Sequence, residues 1–349
     1  MCDRWGCTTS LHRPRLARRG FLKAAAATSL TMALGPGQQA LAQGKSMISS
    51  RGTGFCNLNL FLAHAMQFSK QDGVQLDFVN APTFAEQVTF LGMGQSNIGV
   101  LPYTSALSLI DGGAPVRIVG GGGVEGCVLV AQPGLDSAEK LKGKTLGTFQ
   151  LDTLEVLPYD WLKSKGVALK DVTVRYMGST PEAAEAFRAG ALDWIATIEP
   201  YGTALLNDVK GAVKLSDGTD LYGRGYTDCV LAARTEVIQN NPQGVKAVIK
   251  AMMQAQAMFE KDPEAVLPKL VGTYYKTSME NARMASTKQP SVVDARSQAA
   301  FILGRVQSLI EMGYAKKKPD PAILDWTLLE QVIAENKPLY ESLKWKSAA

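Results

Sequence analysis

Short runs of β-branched and apolar residues alternate with stretches of helical periodicity along most of this 349-residue chain, and that alternation restricts the possible fold more than any other feature. Apolar strands separated by helices are buried on both faces when the helices pack over a largely parallel sheet, so the expected class is α/β. The first series reads as strand Met47 to Ser50, helix Asn57 to Ser69, strand Gln75 to Val79, helix Phe84 to Met93, strand Ile98 to Leu101, helix Tyr103 to Ile110 and strand Val116 to Val119. A second series starts after Pro133-Gly134. A short helix leads through Leu141-Lys142-Gly143-Lys144 into a strand at Thr145, followed by helix Thr153 to Lys165, strand Val172 to Tyr176, helix Pro181 to Ala189 and strand Trp194 to Ile198. A further strand, Cys229 to Ala233, precedes mostly helical sequence that includes Gly244 to Phe259 and Ala322 to Ala334.

The two series echo each other. Glu86 to Val100 and Glu182 to Ala196 both run helix, then Gly94 or Gly190, then Asn97 or Asp193, then an apolar strand, at a constant offset. About 300 residues beyond the N-terminal segment exceed what one hydrophobic core supports, so two lobes are expected. The expected division is lobe one from 43 to 131, lobe two from 132 to 228, and a mostly helical return to lobe one from 229 to 349.

Residues 1 to 42 carry a targeting signature rather than a structural element. Arg18-Arg19-Gly20-Phe21-Leu22-Lys23 closes a basic region, Ala24 to Leu34 is apolar, and Ala40-Leu41-Ala42 is a small-residue cleavage site. This is the order of a twin-arginine export signal, cut near Ala42, and it places the mature protein in the periplasm. The apolar run is about half the ~20 residues that cross a bilayer. The segment holds six Lys or Arg and one Asp, so the remainder has 31 basic and 31 acidic residues and is formally neutral. No basic block is left to hold a polyanion, which excludes nucleic acid as a partner.

Cysteine and histidine usage narrows the chemistry further. Cys56, Cys127 and Cys229 remain after the signal, odd in number and far apart in sequence, which gives neither a disulfide framework nor a Cys-x-x-Cys motif. A single histidine, His64, lies on an apolar helical stretch, so no metal site and no histidine-dependent triad is expected. Gly121-Gly122-Gly123-Val124-Glu125-Gly126 has dinucleotide-site spacing, but strand-like Cys127 to Ala131 follows it where that fingerprint requires a helix. The segment reads instead as a loop between lobes. No cofactor and no catalytic signature is expected.

What remains is a set of strand-to-helix junctions, where helix N-termini leave backbone N–H groups facing a crevice. Thr53, Phe55 and Asn57 follow the first strand, and Tyr103, Thr104 and Ser105 open the third helix. Gln150, Asp152 and Thr153 precede a helix of the second lobe, Glu199 and Tyr201 follow a strand, and Tyr226 and Asp228 precede the chain's return; Glu125 lies in the glycine-rich loop. Aromatic faces with a few hydrogen-bonding groups suit a small polar organic ligand. Asp152 and Thr153 also read as helix caps.

At these junctions the sequence resembles the solute-binding proteins of ABC importers, in the nitrate, sulfonate, taurine and thiamine-precursor group. The resemblance runs from about Phe55 to Met258. It rests on Phe84 to Val100, Gly112-Gly-Ala-Pro-Val-Arg-Ile-Val119, Leu141-Lys-Gly-Lys144, Ala189-Gly-Ala-Leu-Asp193 and Glu199-Pro200. It implies a two-lobed periplasmic-binding-protein fold of type II, with a ligand cleft between hinged α/β lobes, and a monomer that presents its ligand to an ABC permease and ATPase. Within the group, Asp152 and Glu155 stand where a helix dipole would favour an anion, which directs the reading toward an amine or a neutral heterocycle stacked on Phe55, Tyr103 or Tyr201 rather than a sulfonate or nitrate. Asn57-Leu58-Asn59 is similar to the Asn-x-Asn stretch of the thiamine-pyrimidine branch, although Leu60 stands where that branch carries His. The alternatives are a synthase-like enzyme of that branch and a ligand-sensing receptor domain for a system without an ABC transporter.

Overall fold

The computed structural model describes residues 46–346. The export signal expected over residues 1 to 42 lies outside the described residues.

Among the described residues, ten strands form two five-stranded mixed sheets. In chain order they are β1 (Ser46–Ser50), β2 (Gln75–Phe78), β3 (Ile98–Pro102), β4 (Val116–Gly121), β5 (Cys127–Ala131), β6 (Thr145–Thr148), β7 (Thr173–Tyr176), β8 (Trp194–Ile198), β9 (Val213–Ser216) and β10 (Cys229–Arg234). The first sheet has the order β2-β1-β3-β10-β4 and the second β7-β6-β8-β5-β9. In each sheet four strands run in one direction, and the fourth place is taken by an antiparallel strand that has crossed over from the other series. β5 enters the second sheet as soon as the chain leaves β4, and β10 brings it back between β3 and β4. The two sheets therefore share one topology, and each is completed by a strand on loan.

The sequence echo has a structural counterpart. The Phe84–Met93 helix leads into β3 and the Thr180–Arg188 helix into β8, the third place in each sheet. Ile98 and Trp194 begin these two strands and are completely buried. Thr83 and Ser179 cap the two helices at matching positions; the Thr83 hydroxyl accepts from Glu86 N–H, and the Ser179 hydroxyl from Glu182 N–H.

The two crossovers, 122–126 and 223–228, run side by side and form the connection between the sheets. Glu125 N–H donates to the Tyr226 carbonyl at 2.8 Å, and Asp228 N–H to the Gly123 carbonyl at 3.0 Å. Gly123 is required there, because a Cβ at that position would sit 2.6 Å from Cys56 Cα. The Pro242–Lys261 helix and its successors cover the first sheet, and the Ala299–Glu311 helix packs against both the Tyr103–Asp111 and the Thr153–Ser164 helices. Among the described residues no helix is long and apolar enough to cross a membrane.

Candidate functional site

In open α/β sheets the crevice lies at the carboxyl ends of the parallel strands. Here those ends face each other across the junction of the two sheets and enclose a cavity of about 50 Å³, room for about four water molecules. Its first-sheet wall comes from Gly52, Thr53, Gly54, Cys56 and Asn57 after β1, from Phe84, Gln87 and Val88, and from Asp228 and Cys229 at the start of β10. Its second-sheet wall comes from Phe149, Asp152 and Leu154 after β6, from residues 178–180 after β7, and from Ile198 at the end of β8. An outer cavity of about 250 Å³ shares Gly52, Thr53, Gln87 and Ser179 with the inner one and adds Arg51, Tyr201, Tyr274 and Lys276.

Two carboxylates dominate the inner cavity, and both are buried. Asp152 is the N-cap of the Thr153–Ser164 helix, where its Oδ1 accepts from Leu154 N–H at 3.0 Å. Burial, then the neighbouring Asp228, push its carboxyl well above the usual carboxylate range. Asp228 is likewise raised, to about 6, by burial, against hydrogen bonds from Cys229, Cys127, Cys56 and Thr153 that favour its ionised form. Cys127 and Cys229 donate to its two oxygens at 3.3 and 3.1 Å, and Gln289 Nε2 donates at 3.1 Å. No cation is among the leading influences on either group. A paired, desolvated acid site of this kind is stabilised by a guest that brings positive charge.

Of the fourteen residues singled out from the sequence, Thr53, Asn57, Asp152 and Asp228 line the inner cavity, and Tyr201 lines the outer one. Several others hold the lobes together. Thr104 and Ser105 hydroxyls donate across the cleft to the Leu151 carbonyl at 2.9 and 2.7 Å, and Phe55 N–H donates to the Glu199 carbonyl at 2.8 Å. Thr153 Oγ1 donates to the Asp228 carbonyl at 3.2 Å, and the Thr53 and Thr180 hydroxyls bond each other across the gap. The lobes are therefore closed on one another.

The remaining candidates face elsewhere. Glu199 turns into the Tyr201–Asp208 helix, where it accepts from Thr203 N–H at 2.9 Å and Thr203 Oγ1 at 3.0 Å; burial raises its carboxyl. Glu125 accepts from Gly225 N–H at 2.7 Å and pairs with Arg224 at 3.3 Å in the connecting ribbon. Gln150 is exposed. Of the three aromatics expected as stacking surfaces, Tyr201 lines the outer cavity, while Phe55 packs edge-on to Tyr275 at 4.6 Å and Tyr103 on Phe301 at 5.6 Å in the core; Tyr226, a further candidate, packs on Tyr222 at 5.3 Å. The aromatic rings that do line the cavity are Phe84 and Phe149.

Sequence reasoning also missed the thiols. Cys56, Cys127 and Cys229 lie far apart along the chain, but all three are buried, and Cys56 and Cys229 line the cavity. Burial pushes the Cys56 thiol up to about 11 and raises the other two well above the usual range. The available signal was adjacency, since Cys56 precedes Asn57 and Cys229 follows Asp228. His64 sits on the Leu58–Ala65 helix, away from this cavity, with its Nδ1 2.6 Å from the Tyr274 hydroxyl; burial lowers its pKa.

Comparison with known proteins places this geometry in a known setting. A protein of Brucella abortus (strain 2308), provisionally named a binding protein, is 24% identical over 251 residues, covering 70% of this chain and 77% of its own. The periplasmic aliphatic sulphonate binding protein SsuA from Escherichia coli has the same fold, with a TM-score of 0.67 at 20% identity over 81% of this chain and 92% of its own. So does the desulfurization enzyme DszB, with a TM-score of 0.62 at 13% identity over 83% of this chain and 99% of its own. The fold is thus the type II periplasmic-binding-protein fold, which carries both binders and an enzyme. The sequence model of the NMT1-like family matches residues 54–267, a span that contains nearly the whole inner cavity and more than half of the chain, and this protein belongs to that family.

Proposed function

We propose that this protein is an extracytoplasmic solute-binding protein that delivers a small organic amine to the permease and ATPase of an ABC importer. The observation that carries the reading is the pair Asp152 and Asp228, buried on opposite walls of a cavity between two lobes, with neither in a salt bridge among the described residues. An ammonium group placed between them offsets their desolvation and restores their ionised form, and the Phe84 and Phe149 rings accept the guest's carbon skeleton. The family match and the export signature support the transport setting. Burial raises the Cys56 and Cys229 thiols, which keeps them poor nucleophiles beside Asp228 and supports binding over thiol catalysis.

A second reading is favoured by the outer cavity, where Arg51 and Lys276 stand beside Tyr201. An anionic guest such as a sulfonate or nitrate would use these two side chains, and a zwitterion would span both cavities with its ammonium group inside. Calorimetric titration with methylammonium, taurine, methanesulfonate and nitrate separates the cases. The proposal expects methylammonium to bind with proton release near pH 6. Binding of methanesulfonate and nitrate alone would overturn it.

A further inference from the structure

The floor of the inner cavity gathers more acid chemistry than an amine requires. The Cys56 and Cys229 sulfurs and an Asp228 oxygen all lie within 4.8 Å of one another, and every one of these residues is buried. Cys229 Sγ is already 3.1 Å from Asp228 Oδ2. A tetrahedral ion with bonds of about 2.3 Å to sulfur and 2.0–2.2 Å to oxygen has ligand-to-ligand edges of about 3.5–3.8 Å, so the Cys229–Asp228 pair opens slightly and the set reaches that geometry by small side-chain shifts.

The surroundings are those of a ligand set rather than of core cysteines. Cys127 Sγ donates to the other oxygen of Asp228 at 3.3 Å, which fixes the carboxylate's orientation. Asn57 Nδ2 donates to Cys56 Sγ at 3.2 Å and stabilises a thiolate there. Gln289 donates its Nε2 to Asp228 and to the Glu125 carbonyl, while its own buried Oε1 has no hydrogen-bond partner. Structural thiols in a packed core ordinarily do not come with an oriented carboxylate, a buried amide oxygen left unpaired and an adjoining cavity.

We infer that Cys56, Cys229 and Asp228 bind a thiophilic divalent cation of the zinc type, with its fourth position open to the cavity. The binding step is an exchange: two S–H bonds break, two metal–sulfur bonds form and two protons leave to solvent, with no change of oxidation state. Two thiolates and one carboxylate around a divalent ion leave one net negative charge, which Asn57 and Cys127 partly meet through hydrogen bonds. Each thiol gives up its proton on binding, so the site binds more tightly as pH rises.

The inference does not depend on the transport reading, although the two share Asp228, and Asp152 separates them because it is outside the metal set. The full chain, stripped with a chelator, is titrated with Cd²⁺ and followed by thiolate-to-metal charge-transfer absorption and by proton release. The expected result is one ion per chain, two protons released per ion, and affinity at least roughly a hundredfold weaker in C56S and in C229S. The C2S/C7S variant keeps the wild-type Cd²⁺ response, and D152N, which lies outside the metal set, loses amine affinity while still taking up one ion with two protons released. Absorption that persists in the C56S/C229S double variant, or ions bound with no proton release, would overturn the site. Where a cysteine variant does not fold, the proton count on the wild-type protein decides the matter by itself.

Discussion

The two sheets of this protein follow one plan with different residues. Each has four strands in one direction and one antiparallel strand borrowed from the other series, and matching helices open at Thr83 and Ser179 on facing sides of the cleft. Phe84 N–H reaches across to the Gly178 carbonyl at 2.9 Å, so the two helix starts meet. The chemistry, however, is divided unequally. The first sheet's wall contributes two thiols, Asn57 and Asp228, and the second contributes Asp152 with the Ser179 and Thr180 hydroxyls. The shared plan fixes where a cleft forms, and the residues at the strand ends decide what it takes.

Matched substitutions test that comparison, beginning with the strand-opening pair. Trp194→Ala is expected to cost about 3–5 kcal/mol and Ile98→Ala about 2–5 kcal/mol, because each leaves a cavity under a sheet. Denaturant unfolding of both variants should show a single transition. A separate transition for either variant would mean that the lobes fold independently despite the two crossovers.

Next in size is the pH dependence of the carboxylate pair. Both Asp152 and Asp228 have folded pKa values above their unfolded ones, so the folded protein binds more protons and is more stable at low pH. As pH rises from the unfolded carboxylate value of about 4 through about 6, Asp228 alone withdraws on the order of 3 kcal/mol. The groups facing it are Asp152 and the three thiols, all acids, so none of them reverses the sign. The melting temperature, measured without guest, should fall between about pH 4 and 7; a flat profile would show that the pair is solvated.

Asp152→Asn comes third. Losing one charge-assisted contact of about 1.5–3 kcal/mol should weaken amine binding roughly ten- to a hundredfold in calorimetry. Unchanged affinity would reduce Asp152 to its capping role, which Asn also fills.

The smallest effect separates the two helix caps. Thr83 takes part in a reciprocal box, with its hydroxyl accepting from Glu86 N–H and Glu86 accepting from Thr83 N–H at 2.9 Å. Glu182, the counterpart, accepts from Gly178 N–H at 3.2 Å instead. Thr83→Ala should cost about 1 kcal/mol and Ser179→Ala less. Equal losses would show that the second helix start compensates elsewhere.

Much of the fold was legible in the sequence because its signals are local. Strand and helix periodicity follows from which faces are buried, and the expected strands match the observed ones to within a residue or two. The expected helix from Asn57 to Ser69 is shorter in the structure, with its regular part ending at Ala65 and Gln67 at φ 55°. The junction rule found Thr53, Asn57, Asp152 and Asp228 because strand ends collect at a crevice in this class of fold. It misjudged Phe55, Tyr103 and Tyr226, whose partners Tyr275, Phe301 and Tyr222 pack them into the interior; for the first two, those partners come from the C-terminal helical part. A ring at a junction serves a core or a ligand equally well, and nothing nearby in sequence distinguishes the two.

By itself the sequence determined the α/β class, the repeated helix-to-strand unit and the strand ends from which a site would be drawn, since each depends on residues within a few positions of one another. Only the tertiary structure decided that Cys56, Cys127 and Cys229 converge on Asp228, that Asp152 faces Asp228 across a closed cavity, and that Thr104 and Ser105 hold the lobes rather than a guest. These relations depend on β10 returning to the first sheet after the second has been built, a pairing between segments more than a hundred residues apart. Burial then turns that proximity into chemistry, because exclusion of solvent raises the thiols and carboxylates gathered there above their usual ranges.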